Sequence, residues 1–162
     1  MTSLQLVFLV FGVVAVSLGS VSAFSDEERN KIYAGMLPLV LECSKDYGLT
    51  EDDLKAAKES GSIGSINPCL MACVFKKINV INDKGLFDVD KAGELSQKFL
   101  TETDDQQKAT EIIKTCASVN EKDVSDAEKG CDRSKLLFDC LLPFKGQVKY
   151  NIVIILIIYS SR

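Results

Sequence analysis

The chain has 162 residues, of which 46% are hydrophobic and 26% are charged, and its formal net charge at pH 7 is −4. This composition is typical of one ordinary globular domain, and the negative charge argues against a protein that binds nucleic acid. The sequence also contains no histidine, which excludes chemistry that needs a histidine base, such as that of disulfide-rich phospholipases.

The N-terminal segment has the features of a secretory signal peptide. Residues 1–23 contain no charged side chain, and residues 6–16 form an apolar run that is too short to span a bilayer as a helix. Val21, Ser22 and Ala23 supply the small residues that a signal peptidase requires before its cleavage site. We therefore interpret residues 1–23 as a signal peptide and expect a secreted, extracellular protein.

Two helices are predicted next. A capping box at residues 25–28 begins the first helix, Pro38 should kink or split it, and Gly48 should end it. Thr50 begins a short, mostly polar second helix that should close at Gly61. Little of this second helix can be buried.

The third helix carries two of the six cysteines. Asn67 is its predicted N-cap and Pro68 its first residue. Cys69 and Cys73 then project from nearly one face, about 40° apart. Zinc sites usually use histidine as well as cysteine, and thioredoxin-like pairs need C-x-x-C beside a βαβ pattern. Neither condition is met, so we expect no metal and no cofactor, and an even cysteine count in an exported chain favours three disulfides.

Three further helices complete the pattern. Asp88 is the predicted cap of the fourth helix, the fifth extends over about residues 104–119, and the sixth over about residues 127–142. Cys131 and Cys140 lie about two and a half turns apart on the sixth helix, so they point to opposite sides and cannot bond each other. No alternating strand pattern occurs in this part of the chain, and the predicted fold class is all-α.

A segment beginning at Asp88 resembles the start of a calcium loop. Ala92 replaces the third oxygen ligand of such a loop, and Phe99 stands where the bidentate glutamate belongs. A solvated helix cap is the better interpretation, so no metal site is expected here.

The cysteine spacing is C-x25-C-x3-C-x42-C-x14-C-x8-C. With x3 between the second and third cysteines and x8 between the last two, it resembles the insect odorant-binding protein family. The segment after Cys73, which is rich in lysine, asparagine, glycine and aspartate, is similar to the family's segment as well.

The resemblance implies a compact six-helix domain that encloses an apolar cavity. The family's disulfide pattern, carried onto this chain, joins Cys43 to Cys73, Cys69 to Cys131 and Cys116 to Cys140, whereas spacing alone leaves other connectivities open. The domain should occupy residues 24–146.

A C-terminal tail, residues 147–162, departs from the family pattern. Its residues 152–158 form a β-branched apolar run that is too short to cross a membrane as a helix. Three interpretations stay open: the tail folds over the mouth of the cavity, it pairs as a strand with another molecule, or the mature protein lacks it.

The function implied by the resemblance is carriage of small hydrophobic ligands, such as odorants or pheromones, through extracellular fluid, without enzymatic activity. The implied partners are a small apolar ligand and a membrane odorant receptor, and the implied oligomeric state is a monomer or a weak homodimer. Two alternatives stay open: a non-olfactory carrier or scavenger of lipids or host mediators, and, from another class, a membrane-surface-active saposin-like helical protein.

Ten apolar residues on the third to sixth helices and their flanks are candidates to line the cavity, although each could equally be ordinary core. They are Leu70, Val74, Ile78, Phe87, Phe99, Ile113, Ala117, Leu137, Leu141 and Phe144. The first three are expected to form one wall.

The first prediction concerns the pH dependence of ligand binding. Because the chain has no histidine to titrate between pH 5 and 8, we expect affinity to change little between pH 7 and pH 5. Titration of a fluorescent apolar probe at the two pH values measures this. A loss of affinity of about tenfold or more would contradict the prediction.

Overall fold

The computed structural model describes residues 26–60, 67–100 and 102–144, so the proposed signal peptide and the C-terminal tail lie outside the described residues. The described residues form six α-helices: α1 (Asp26–Asp46), α2 (Glu51–Glu59), α3 (Pro68–Lys77), α4 (Val89–Phe99), α5 (Thr103–Cys116) and α6 (Cys131–Leu141). Three short 3₁₀ turns occur at Ala117–Glu121, Ala127–Lys129 and Leu142–Phe144. Apart from one isolated bridge between Ile81 and Phe87, these ranges contain no β-structure, and the all-α prediction is confirmed.

Local capping residues set the beginnings of three helices, as predicted. Thr50 and Asp53 cap α2 reciprocally: the Thr50 N–H donates to the Asp53 carboxylate at 2.8 Å, and the Asp53 N–H donates to the Thr50 hydroxyl at 3.2 Å. Asn67 accepts a hydrogen bond from an α3 amide at 2.9 Å, and Asp88 accepts one from an α4 amide at 2.9 Å. These bonds satisfy amides that have no partner within their own helix. The capping box predicted for α1 begins at residue 25, outside the described residues.

The first helix is continuous through Pro38, so the alternative in which this proline splits it is wrong. Proline removes one backbone donor, and the helix tolerates that loss at a single position. Its C-terminal half is also fixed from outside, because Cys43 is bonded to Cys73 on α3. Gly48 has a φ of 65° just after the helix end, as a C-terminal glycine stop requires.

The predicted boundary between α5 and α6 is wrong at both ends. The chain tightens into a 3₁₀ turn at residue 117 instead of continuing as α-helix to residue 119. The sixth helix begins at Cys131 rather than at residue 127, because Gly130 adopts a left-handed φ of 73° that interrupts the helical path. The Asp126 carboxylate then accepts hydrogen bonds from the first two amides of α6. Neither the 3₁₀ turn nor the Asp126 cap leaves a signal in helical periodicity, which therefore does not locate these boundaries.

Three disulfides connect the helices in the same pairs that the resemblance implies. Cys43–Cys73 joins α1 to α3, Cys69–Cys131 joins α3 to α6, and Cys116–Cys140 joins α5 to α6. The paired cysteines are separated by 30, 62 and 24 residues. In the chain-entropy model each such link stabilises the fold by roughly 3–4 kcal/mol. Helix α3 is therefore fixed covalently to two neighbours, α1 and α6.

Two apolar clusters fill the fold. The larger one, here called the main interior, lies among α3, α4, α5 and α6 and includes the fully buried Phe75 and Leu137. The smaller one, here called the α1–α3 cluster, contains Cys43, Leu70 and Val74, against which residues of α1 and α2 pack. None of the helices in the described ranges is both long and apolar enough to span a membrane.

Gly85 provides a test of how the α3–α4 loop packs. It has a φ of 73°, and a Cβ built there would lie 2.2 Å from the Ala127 carbonyl oxygen. We expect Gly85→Ala to lower the free energy of unfolding by about 2 kcal/mol or more, because a left-handed alanine and a backbone clash both cost energy. Urea denaturation followed by circular dichroism measures the change.

Gly93 is the matched control for this variant. It lies within α4, and a Cβ there would meet no atom within 4 Å. Gly93→Ala should raise the free energy of unfolding by about 0.5–1 kcal/mol, since alanine is the better helix former. If Gly85→Ala were as stabilising as Gly93→Ala, the packing of this loop against the α5–α6 connection would be contradicted.

Candidate ligand-binding site

The main interior is the region of the described fold where most of the predicted lining residues meet. Phe87, Leu137 and Leu141 are buried members of it, between 0% and 5% exposed. Three further predicted residues are half-buried and pack against it, namely Ile78, Ile113 and Phe144. Six of the ten predicted side chains are therefore brought to one apolar region by the α3–α4 loop, α5, α6 and the 3₁₀ turn after α6.

The wall expected from Leu70, Val74 and Ile78 is divided between two regions. Leu70 and Val74 lie in the α1–α3 cluster, whereas Ile78 packs against the main interior. The division has a local cause: α3 ends at residue 77, and Ile78 follows it with φ −100° and ψ 10°, outside the helical register. The apolar face predicted from helical spacing therefore includes one residue, Ile78, that lies beyond the end of the helix.

The two remaining predicted residues lie outside both clusters. Phe99 is 36% exposed, and the Lys98 ammonium lies 5.8 Å from the centre of its ring. Leu100, the next residue, is only 1% exposed and takes the interior position instead. Ala117 is half-buried and begins the 3₁₀ turn after α5.

Sequence reasoning missed several large side chains of the main interior. Phe75 is fully buried, and Phe138 and Ile112 are each 4% exposed. Helix α3 is apolar on nearly every side, so its periodicity does not show which of its side chains face which neighbour. For this reason the sequence does not identify Phe75 as a residue of the main interior. Phe138 follows Leu137 directly, and both are buried against the same interior.

Phe87 is held in the interior by an unusual backbone arrangement. It forms an isolated antiparallel bridge with Ile81. Two backbone hydrogen bonds flank this bridge. The Asn82 N–H donates to the Leu86 carbonyl at 2.9 Å, and the Asp88 N–H donates to the Val80 carbonyl at 2.8 Å. In such a pair the N–H and C=O of the central residue point away from the partner strand. The Asn120 side chain satisfies both: its Oδ1 accepts from the Phe87 N–H at 2.8 Å, and its Nδ2 donates to the Phe87 carbonyl at 2.9 Å.

The turn that carries Asn120 is itself fixed by a buried arginine. Arg133, on α6, is 4% exposed, and its Nη1 donates to the carbonyls of Val119 and Lys122, the latter at 2.8 Å. The Val119 carbonyl belongs to the 3₁₀ turn and Lys122 follows the turn directly, so the guanidinium lies at its C-terminal end, where the backbone dipoles favour a cation. Neither Asn120 nor Arg133 was singled out from the sequence, although Arg133 lies four residues before Leu137, on the side of α6 that is buried.

The charged groups with shifted pKa values lie at the periphery. The pKa of the Asp132 carboxyl is held below its ordinary value of 3.8 by hydrogen bonds from the Ser125 hydroxyl and N–H. The pKa of Glu42 is likewise lowered, by the hydrogen bond and positive charge of the Lys77 ammonium at 2.8 Å. Both carboxyls therefore stay ionised between pH 7 and pH 5. Within the described ranges no group of acidic or cysteine side chains is arranged to hold a metal ion.

Comparisons with known proteins agree on one family. The model of the PBP/GOBP family matches residues 25–143. General odorant-binding protein 28a of Drosophila melanogaster is 24% identical over 143 residues, which cover 87% of this chain and 92% of that protein. General odorant-binding protein 19d of the same species is 26% identical over 83% of this chain and 85% of its own length. Odorant-binding protein 10 of Aedes aegypti is 26% identical over 67% of this chain and 71% of its own length. No solved structure matches.

The acid dependence of stability can be predicted from Asp132. A carboxyl whose pKa is lowered by folding stabilises the native state above its unfolded pKa, and that contribution is lost as the pH falls through the lower, folded value. We therefore expect unfolding temperature to be nearly constant from pH 7 to pH 5 and to fall below about pH 4. The Asp132→Asn variant should be less stable than the wild type at pH 7, and its unfolding temperature should fall less on acidification.

Asp83→Asn is the control, because it alters an exposed carboxylate of the α3–α4 loop. If the unfolding temperatures of the two variants depended on pH in the same way, the role assigned to Asp132 would be contradicted.

Proposed function

The chain belongs to the PBP/GOBP family, and we propose that it is a secreted carrier that binds and solubilises small hydrophobic ligands in an extracellular fluid. The observation that carries this proposal is the convergence of six predicted lining residues on one apolar interior, within helices cross-linked by three disulfides. The names of the relatives refer to odorant binding, which makes volatile odorants or pheromones the first ligand class to test.

The proposed mechanism is partition rather than chemistry. Transfer of apolar surface from water yields about 25 cal/mol per Å², so a ligand of about 300 Å² gains several kcal/mol before entropic costs. That gain is consistent with micromolar affinity, from which a cargo can still dissociate without a chemical trigger. The absence of histidine from the sequence supports a non-enzymatic carrier, because a common general base is missing.

The disulfides have a clear role in this mechanism. A cavity that is empty between two ligands destabilises a protein by about 24 cal/mol per Å³, and unrestrained walls tend to collapse into it. Links from α3 to α1 and α6, and from α5 to α6, restrict such movement of the helices. The cross-linked frame therefore helps an apolar interior remain available to a guest.

The proposed site consists of the main interior and not of the α1–α3 cluster. Its lining residues are Ile78, Phe87, Ile113, Leu137, Leu141 and Phe144. Leu70 and Val74 pack on the other side of α3, towards α1, and are assigned to the support of the frame. Removal of residues 1–23 during secretion, and contact with a membrane odorant receptor, remain parts of the proposal that rest on the family resemblance.

Probe displacement tests the carrier function and the location of its site. The oxidised protein without residues 1–23 should bind N-phenyl-1-naphthylamine, and apolar alcohols, esters or terpenes should displace it. Ile113→Ala should weaken binding about fivefold, because it removes apolar contact from the main interior. Leu54→Ala, a truncation beside the α1–α3 cluster, should change affinity by less than about twofold.

The opposite results are informative as well. If no apolar compound binds or displaces the probe, the carrier function is overturned. If Leu54→Ala weakens binding and Ile113→Ala does not, the carrier function stands but its site lies on the α1 side of α3.

A further inference from the structure

We propose that Asn120 is a positioning residue for ligand selectivity: it fixes the backbone of Phe87, and thereby the place of the Phe87 ring in the wall of the apolar site. This inference rests on the proposed carrier function and extends it. Asn120 itself belongs to the 3₁₀ turn after α5, and it reaches Phe87 across 33 residues of sequence.

The backbone of Phe87 depends on this single side chain. Phe87 is 4% exposed, so water has little access to its backbone groups. The bridge to Ile81 leaves the Phe87 N–H and C=O directed away from the α3 side of the loop, and Asn120 is the partner of both. A buried amide or carbonyl without a partner is costly, so loss of Asn120 forces this part of the loop to move towards solvent.

Asn120 is also coupled to α6. Arg133 binds the carbonyls on either side of Asn120 in sequence, those of Val119 and Lys122. Arg133 belongs to α6, which also supplies Leu137 and Leu141 to the main interior. Hydrogen bonds thus connect α6 to the 3₁₀ turn through Arg133, and the 3₁₀ turn to Phe87 through Asn120. The two walls are therefore linked through polar groups rather than through the apolar side chains alone.

An ordered wall affects both the affinity and the selectivity of binding. A wall that is already ordered costs little to organise when a ligand enters, whereas a loosened aromatic side chain must be ordered at that moment. A fixed ring also rejects ligands of the wrong shape, while a mobile ring adapts to them. Loss of Asn120 should therefore weaken binding of the preferred ligand and reduce the difference between ligands of different shape.

The experiment compares affinities in the oxidised protein without residues 1–23. Dissociation constants are measured by displacement of N-phenyl-1-naphthylamine with a linear long-chain alcohol and with a bicyclic terpene. Asn120→Ala should weaken binding of the preferred compound about three- to tenfold and bring the ratio of the two constants closer to one. Asn120→Asp keeps the size of the side chain but cannot donate to the Phe87 carbonyl when ionised, so it should behave like the alanine variant.

Two controls separate positioning from general loss of stability. Asn67→Ala removes another asparagine hydrogen bond, the cap of α3, and should leave the ratio of the constants unchanged. In a Phe87→Ala background there is no ring to position, so adding Asn120→Ala should have little further effect on either constant. All constants are measured at a temperature at which circular dichroism shows each variant folded. Asn120→Asp provides the decisive comparison if the double variant does not fold.

The outcomes distinguish this inference from the proposed function. If the wild type binds both compounds and Asn120→Asp retains the wild-type ratio, the positioning role is overturned while the carrier function stands. Equal effects of Asn120→Ala with and without the Phe87 ring would also overturn it. If the wild type binds neither compound nor the probe, the carrier function itself fails.

Discussion

Helix α3 is attached covalently to two helices at once, and the positions of both apolar clusters follow from that attachment. Cys69 and Cys73 are one turn apart, yet one is bonded to α6 and the other to α1, and the Cα atoms of Cys69 and Cys131 are only 4.3 Å apart. A helix of ten residues would be marginal alone in water. Bonded to both α1 and α6, it becomes the partition between the two apolar clusters.

Because α3 separates the two clusters, the short α3–α4 loop that follows it has to close one side of the main interior. Since α3 ends at residue 77, the chain must close the main interior with irregular backbone, and irregular backbone has polar groups that need partners. Asn120 supplies them for Phe87, and the Lys76 ammonium binds the Glu128 carbonyl at 2.6 Å across the same boundary. The loop therefore contributes apolar side chains such as Phe87 to the main interior, while hydrogen bonds from Asn120 and Lys76 hold the surrounding backbone in place.

Features that depend on residues close together in the sequence could be predicted, whereas features that depend on distant residues could not. The caps at Asn67 and Asp88 involve neighbours two or three residues away, and they were predicted correctly. The start of α6 depends on Gly130 and on a carboxylate outside the helix, and periodicity extended the helix too far. The bond between Asn120 and Phe87 spans 33 residues and leaves no pattern in the sequence, so it could only be found in the folded chain. The disulfide pairs came from family resemblance, because spacing alone does not determine connectivity.

The chemistry of the interior limits how a cargo could be recognised. Among the described residues the buried polar side chains are Ser44, Ser96, Arg133 and Ser134. The first two donate to carbonyls of their own helices, and Arg133 donates to the 3₁₀ turn. Within these four side chains, two polar groups lack a hydrogen-bond partner in the described structure, the Ser134 hydroxyl and the Arg133 Nε. With so few free polar groups in the interior, recognition of a cargo would rest mainly on shape and apolar area. It then depends on how firmly each wall is held, because a wall that adapts to every ligand cannot discriminate among ligands.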